Sequence, residues 1–307
     1  MEEKREKNYR LINMEDVQAR EVNWLWYPYI PYGKLTIVQG DPGGEGKTTF
    51  ILHLVALLTK GEALPCEENA EYREPVNVIY QNAEDSLEDT IKPRLLEAGA
   101  DCNKVLVIDE SIDSLSMTDE RLVRAIKETG AKMVVLDPIQ AYLGADVDMH
   151  RANEIRPVLK QLGNIAEEYG CAIILIGHMN KASSSKSTYR GLGSIDFQAT
   201  ARSVLVVGRI KDDTTLRVIA HDKSSLAPEG TSIAFRMDKE KGFSWEGAYD
   251  ITVEELLSGE SRGQKTKDAK TFLLKFLQRG RCRVMRLRKQ RGREVSRRKR
   301  FGMRKRK

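Results

Sequence analysis

Cysteine is scarce in this chain. Its four thiols, Cys66, Cys102, Cys171 and Cys282, stand 36, 69 and 111 positions apart in 307 residues. That spacing has neither the C-x-x-C pairing of a zinc or redox site nor the density of a disulfide framework, and it suits a reducing cytoplasm. Long apolar runs are lacking too. The longest apolar stretch free of formal charge, residues 48–59, falls well short of the roughly 20 residues that cross a bilayer. The first ten residues are charged where a secretory segment would be greasy. The expectation is a soluble, cytoplasmic protein with no membrane partner. What is present, 40% hydrophobic and 31% charged residues, suffices for one large domain plus an appendage and excludes a disordered chain.

The formal net charge of +6 conceals two unlike regions. Residues 262–307 carry 21 Lys and Arg against 2 acids, while the preceding residues carry 30 against 43. An acidic body with a polycationic tail points to a polyanionic partner at the tail, nucleic acid first.

Short β-rich apolar runs at 35–39, 76–81, 105–108, 133–136 and 172–176 alternate with helical patterns at 48–59, 87–98, 120–129 and 153–169. This is the rhythm of an α/β protein with a mainly parallel sheet covered on both faces. Beyond residue 203 the rhythm changes. Runs at 204–209, 215–222, 233–237 and 243–246 follow one another with only turns between them, as in antiparallel strands added at a sheet edge. The chain thus divides into an N-terminal segment (1–21), an α/β domain (22–257), a Gly/Ser/Lys-rich linker (258–268) and the basic tail (269–307).

The first strand runs into Gly40-Asp41-Pro42-Gly43-Gly44-Glu45-Gly46-Lys47-Thr48-Thr49 and then an apolar helix. Strand, glycine loop, Lys-Thr and helix together form the setting in which backbone N–H groups and a helix N-terminus cradle phosphates. Gly43, Gly44, Glu45, Gly46, Lys47, Thr48 and Thr49 are therefore candidate ATP-binding residues, with Lys47 a point charge for the β and γ phosphates and Thr48 a Mg²⁺ ligand. One feature departs from the usual Gly-x4-Gly-Lys-Thr spacing. Counted from Gly40 the loop is one residue too long, a surplus of at most about 3.5 Å of contour that a bulge at Gly43-Gly44 can absorb.

The run 132–136 ends in Asp137, a carboxylate at the carboxyl end of a parallel strand and a second candidate Mg²⁺ ligand. The adjoining run ends near Glu84, a candidate general base; as an alternative, Glu84 and Asp85 simply begin the next helix. The run 172–177 delivers His178, either a sensor of the γ-phosphate or a packing residue.

With these pieces in order, residues 22–250 resemble the RecA-like ATPases of the plasmid RepA helicase type. The matching stretches are 40–49, Asn82 to Asp85, Val135 to Ile139, Ile176 to Lys181, and Arg190 to Ser194 with Ala201 and Arg202. The resemblance implies a homo-hexameric ring with ATP between subunits, Glu84 as base, His178 as phosphate sensor and Arg202 as an arginine finger in the neighbour's site. Arg209 and Lys223 are rival cations for that role. It also implies that the segment 181–190 faces a central channel, where Lys181, Lys186 and Arg190 hold single-stranded DNA and Tyr189 stacks a base; a solvated loop is the alternative. Relatives of this type end in a small helical module, but here only 269–277 has an amphipathic helical pattern. The rest has too little apolar material to pack and suits non-specific DNA binding. The implied activity is that of an ATP-dependent DNA helicase in plasmid or phage replication. Alternatives are an accessory ATPase that binds DNA without unwinding it, or a relative impaired by its lengthened loop.

Overall fold

The computed structural model describes residues 11–67, 73–144, 147–179 and 195–259. The chain separates into two compact units, 1–253 and 254–307. In the second, only the short helix α6 (Val253–Ser258), which begins at the junction, is described.

Residues 11–23 are exposed throughout, and the buried core begins at Leu25. A two-stranded ribbon of β1 (Trp24–Trp26) and β2 (Ile30–Pro31) leads into a nine-stranded sheet. The parallel strands of that sheet are β3 (Leu35–Gly40), β4 (Val78–Asn82), β5 (Val105–Leu106), β6 (Met133–Asp137), β7 (Ala172–His178) and β8 (Ser203–Ile210). Three antiparallel strands follow: β9 (Asp213–Ser224), β10 (Ile233–Asp238) and β11 (Gly242–Ala248). The spatial order is β11-β10-β9-β8-β3-β7-β6-β4-β5.

The helices are α1 (Lys47–Lys60), α2 (Lys92–Glu97), α3 (Glu120–Thr129), α4 (Ala152–Tyr169) and α5 (Ile195–Thr200). Strand periodicity divides the core in two. Val38, Tyr80, Val135 and Ile174 pack on the face covered by α1 and α2, with Phe50, Leu54 and Leu95. Ile37, Ile79, Val134 and Ile173 pack on the other face, with Leu122, Ile155 and Leu159 of α3 and α4. The mainly parallel sheet, the helices on both faces and the antiparallel edge are those expected from the sequence. Among the described residues no helix is long and apolar enough to cross a membrane.

Two expectations need correction. The helix expected over 87–98 is broken into a wide π-type turn, Leu87–Ile91, followed by α2. Pro93 lacks an N–H and its ring crowds the preceding turn. The chain widens there, with Ile91 N donating to Ser86 O at 3.0 Å. The strand expected over 105–108 stops at Leu106 because the Gln81 side chain takes over the pairing. Its Oε1 accepts from Ile108 N at 2.6 Å and its Nε2 donates to Ile108 O at 3.2 Å.

Candidate nucleotide site

Four neighbouring parallel strands end together. Gly40 on β3 is level with His178 on β7, and Asn82 on β4 is level with Asp137 on β6. An open α/β sheet offers its ligand crevice at this carboxyl edge. Here the crevice is a cavity of about 550 Å³, walled by Gly43 to Thr49, Glu84, Asp137 and His178. Every candidate ATP-binding residue from Gly43 to Thr49 therefore meets Asp137, Glu84 and His178 around one space.

The surplus residue of the loop is taken up where glycines permit it. Gly43 and Gly44 have φ of 92° and 87°, followed by Gly46 at 90°, a left-handed region that only glycine enters without strain. Gly46 caps α1 without a side-chain bond, so the first-turn N–H groups of this 14-residue helix are left to a ligand, aligned with the helix dipole. Lys47 is 6% exposed. Its Nζ donates to Asp41 O at 2.9 Å and to Gly40 O at 3.3 Å. Burial lowers its pKa, opposed chiefly by the Asp137 carboxylate and then by Glu45, Asp41 and Glu84.

Thr48 Oγ1 donates to Asp137 Oδ2 at 2.8 Å, and the Tyr80 hydroxyl donates to the same oxygen at 3.0 Å. Burial raises the Asp137 pKa, while the bonds from Thr48 and Tyr80 and the charge of Lys47 lower it. A hydroxyl and a desolvated carboxylate form a hard-oxygen pair that fits Mg²⁺, an ion that keeps water and phosphate oxygens in its shell. Among the described residues no cluster of three or more His, Cys, Asp or Glu could hold a metal. An ion here would complete its shell with water or with a ligand's oxygens.

Glu84 follows β4, where Asn82 Oδ1 accepts from Glu84 N at 3.0 Å and from Asp85 N at 2.6 Å. This turn lifts the Glu84 carboxylate over the cavity, with Oε1 3.7 Å from His178 Nε2. The two groups suspected from separate strands thus face one another.

Arg202 lies elsewhere. Its N–H donates to Leu35 O and Ser203 pairs with Thr36, at the end of β3 opposite the phosphate loop. At about 3.3 Å per residue it stands roughly 17 Å from Gly40, beyond reach of its own cavity. Lys223 occupies the same end, where its Nζ donates to the carbonyls of Gln198, Ala199 and Ala201. Arg209 is at the loop end, 3.7 Å from Glu45. Lys181, Lys186, Tyr189, Arg190 and the tail 269–307 lie outside the described residues.

The antiparallel edge contributes residues that the sequence reading missed. Met237, Asp238, Gly242 and Phe243 line the cavity together with Leu52 and His53 of α1 and Arg94 and Glu97 of α2. Phe243 stacks on His53 with ring centroids 3.5 Å apart and planes within 10°, and burial pushes the His53 pKa down to about 4. Tyr80 had one usable signal, since it shares a strand face with Asn82. The hairpin residues had none, because their return to the loop is set by sheet order.

A family model described as an AAA domain matches residues 3–184. Protein RecA of Syntrophobacter fumaroxidans (strain DSM 10017 / MPOB) is 27% identical over 260 residues, covering 76% of this chain and 71% of its own length. Among solved structures, the ATPase domain of G40P matches with a TM-score of 0.53 at 14% identity, over 70% of this chain and 85% of that one, a likeness of fold.

Proposed function

The chain belongs to the AAA-domain family, and from that premise we propose that it is an ATP-driven DNA motor of the RepA helicase type. It would work as a homo-hexameric ring in plasmid or phage replication. The observation that carries the ATPase reading is the convergence of the glycine loop, Lys47, Thr48, Asp137 and Glu84 on one cavity.

The phosphates would lie on the N–H groups of the loop and α1, with Lys47 leaving the Asp41 and Gly40 carbonyls for the β and γ oxygens. Bound Mg²⁺, held by Thr48 and Asp137, would supply charge neutralisation at those oxygens. Glu84 would orient the attacking water and accept its proton, and His178, facing Glu84 at 3.7 Å, would report whether the γ-phosphate is present. The apolar side of the cavity, Leu52, His53, Met237 and Phe243, suits a nucleobase.

Arg202 serves this scheme only from a second copy, because it stands at the far end of its own sheet. Head-to-tail contacts of that kind close into rings or run into filaments. DNA as the polymer is supported by the cationic tail, by the residues Lys181, Lys186 and Arg190, and by the likeness to RecA. A second reading, a relative whose ATP hydrolysis is impaired, is favoured by the lengthened loop alone. Hydrolysis that appears only in a chain lacking Gly44 would select it.

The test is Mg²⁺-dependent ATP hydrolysis by the full chain with and without single-stranded DNA. Native protein should hydrolyse ATP faster with DNA. Lys47→Ala should abolish the activity, and Glu84→Gln should lower kcat on the order of a hundredfold while still binding ATP. Unchanged hydrolysis in Lys47→Ala would sink the proposal.

A further inference from the structure

A loop with one residue to spare can lie in more than one path, so something must choose the path. Arg217 on β9 stands directly across from Arg209 on β8 and Phe235 on β10. Cross-strand partners point to one face of a sheet. Phe235 packs on the α1 face, against Phe50, so the two arginines share the side that carries the phosphate loop. Arg217 is 8% exposed. Its guanidinium donates to the Thr214 carbonyl and, at 3.4 Å, to the Gly44 carbonyl, while its Nε is buried with no hydrogen-bond partner.

The next loop residue completes the contact. The Glu45 carboxylate, 12% exposed, lies 3.7 Å from the Arg209 guanidinium. Burial lowers the Arg217 pKa, the Arg209 charge directly across lowers it further, and Glu45 and Asp213 oppose the shift. Glu45 is thus the loop's own counter-charge for the strand pair. Neither arginine is among the residues lining the cavity, whereas Gly43, Gly44 and Glu45 are.

Peptide geometry gives the arrangement a consequence. A trans peptide unit is planar, so the Gly44 carbonyl and the Glu45 N–H point in opposite directions. Drawing the Gly44 oxygen toward Arg217 turns the Glu45 N–H away from β9 and toward the cavity.

We propose that Arg217 is a positioning residue for nucleotide binding: with Arg209 and Glu45 it latches the lengthened phosphate loop to the antiparallel strands and aims a loop amide at the phosphates. This rests on the reading of the cavity as an ATP site. It accounts for how a loop of unusual length keeps a phosphate cradle, and it gives the antiparallel edge a part in binding.

The experiment measures Mg²⁺-ATP binding by calorimetry and steady-state hydrolysis on the full chain. Arg217→Ala should weaken binding and raise KM about tenfold, the scale of one charge-assisted hydrogen bond, with kcat changed less. Arg217→Lys should recover part of the loss. In a chain lacking Gly44 the surplus is gone, and Arg217→Ala should then alter affinity less than about twofold. Native affinity in Arg217→Ala, or an equal loss with and without Gly44, would overturn the latch. Should Arg217→Ala fail to fold, Glu45→Gln removes the charge that the loop offers to Arg209 and Arg217. It should still weaken binding by about threefold, and native affinity there would overturn the proposal equally. A native chain that takes up no ATP would remove the site reading, and the latch with it.

Discussion

At the scale of single residues, burial decides protonation, and His221 is the clearest case. Gly230 N donates to its Nδ1 at 3.0 Å, so the proton sits on Nε2, which faces Ser203 Oγ at 3.1 Å. Ser203 in turn donates to Tyr29 O at 2.6 Å. An imidazolium could not accept from Gly230, and burial pushes the His221 pKa down to about 4. As pH falls below about 6.5, the unfolded chain takes up this proton and the folded chain does not. The stabilisation is therefore complete above that pH and is lost progressively toward pH 4, at about 1.4 kcal/mol per pH unit for the one proton. His53, also near 4, acts in the same direction. Urea melts at pH 7 and pH 5 should show the loss, and His221→Gln should make the pH dependence shallower. Equal slopes in the two proteins would show that His221 is not the linked group.

At the scale of elements, the junction of β3 with its loop leaves no room for a side chain. A Cβ on Gly40 would fall 2.2 Å from the Val207 carbonyl oxygen of β8. That neighbour is backbone and cannot swing aside. Gly40→Ala should therefore push β8 from β3, costing about 1–3 kcal/mol as overpacking does, and should weaken ATP binding because the loop starts there. Thermal melting and ATP titration check this; an unchanged melting temperature together with native affinity would contradict it. Gly46 is crowded from the other side, its Cβ position lying 3.0 Å from Met237 Sδ and 3.1 Å from Phe235 Cζ. One end of the phosphate loop is thus seated on β8 and the other on the antiparallel strand β10.

At the scale of the whole molecule, charge and chemistry are segregated. The proposed triphosphate site sits in an acidic body, while residues 262–307 hold 21 of the 51 Lys and Arg. If that tail grips DNA as proposed, truncation after Gln278 should lower the slope of log affinity against log salt by several units, at about 0.9 per lost phosphate contact on duplex DNA. An unchanged slope would assign the contacts to the body. Arg202, exposed at the far end of the sheet from the cavity, is the residue through which the proposed ring would reach a neighbouring copy.

The sequence by itself determined the α/β order, the strands that end in Gly40, Asp137 and His178, and the loop whose glycines absorb a surplus residue. These are local matters: alternating and helical hydrophobic periods, and φ values that only glycine tolerates, are written in neighbouring residues. It also named Glu84 and His178, though not that they would meet. Only the tertiary structure decided that β4, β6, β7 and β3 end side by side, and that Arg202 and Lys223 fall at the opposite edge. The same holds for the closing of the cavity by Met237 and Phe243 of the distant antiparallel edge. Sheet order is settled by which buried faces pack together across the whole chain, and no short window of residues contains that information.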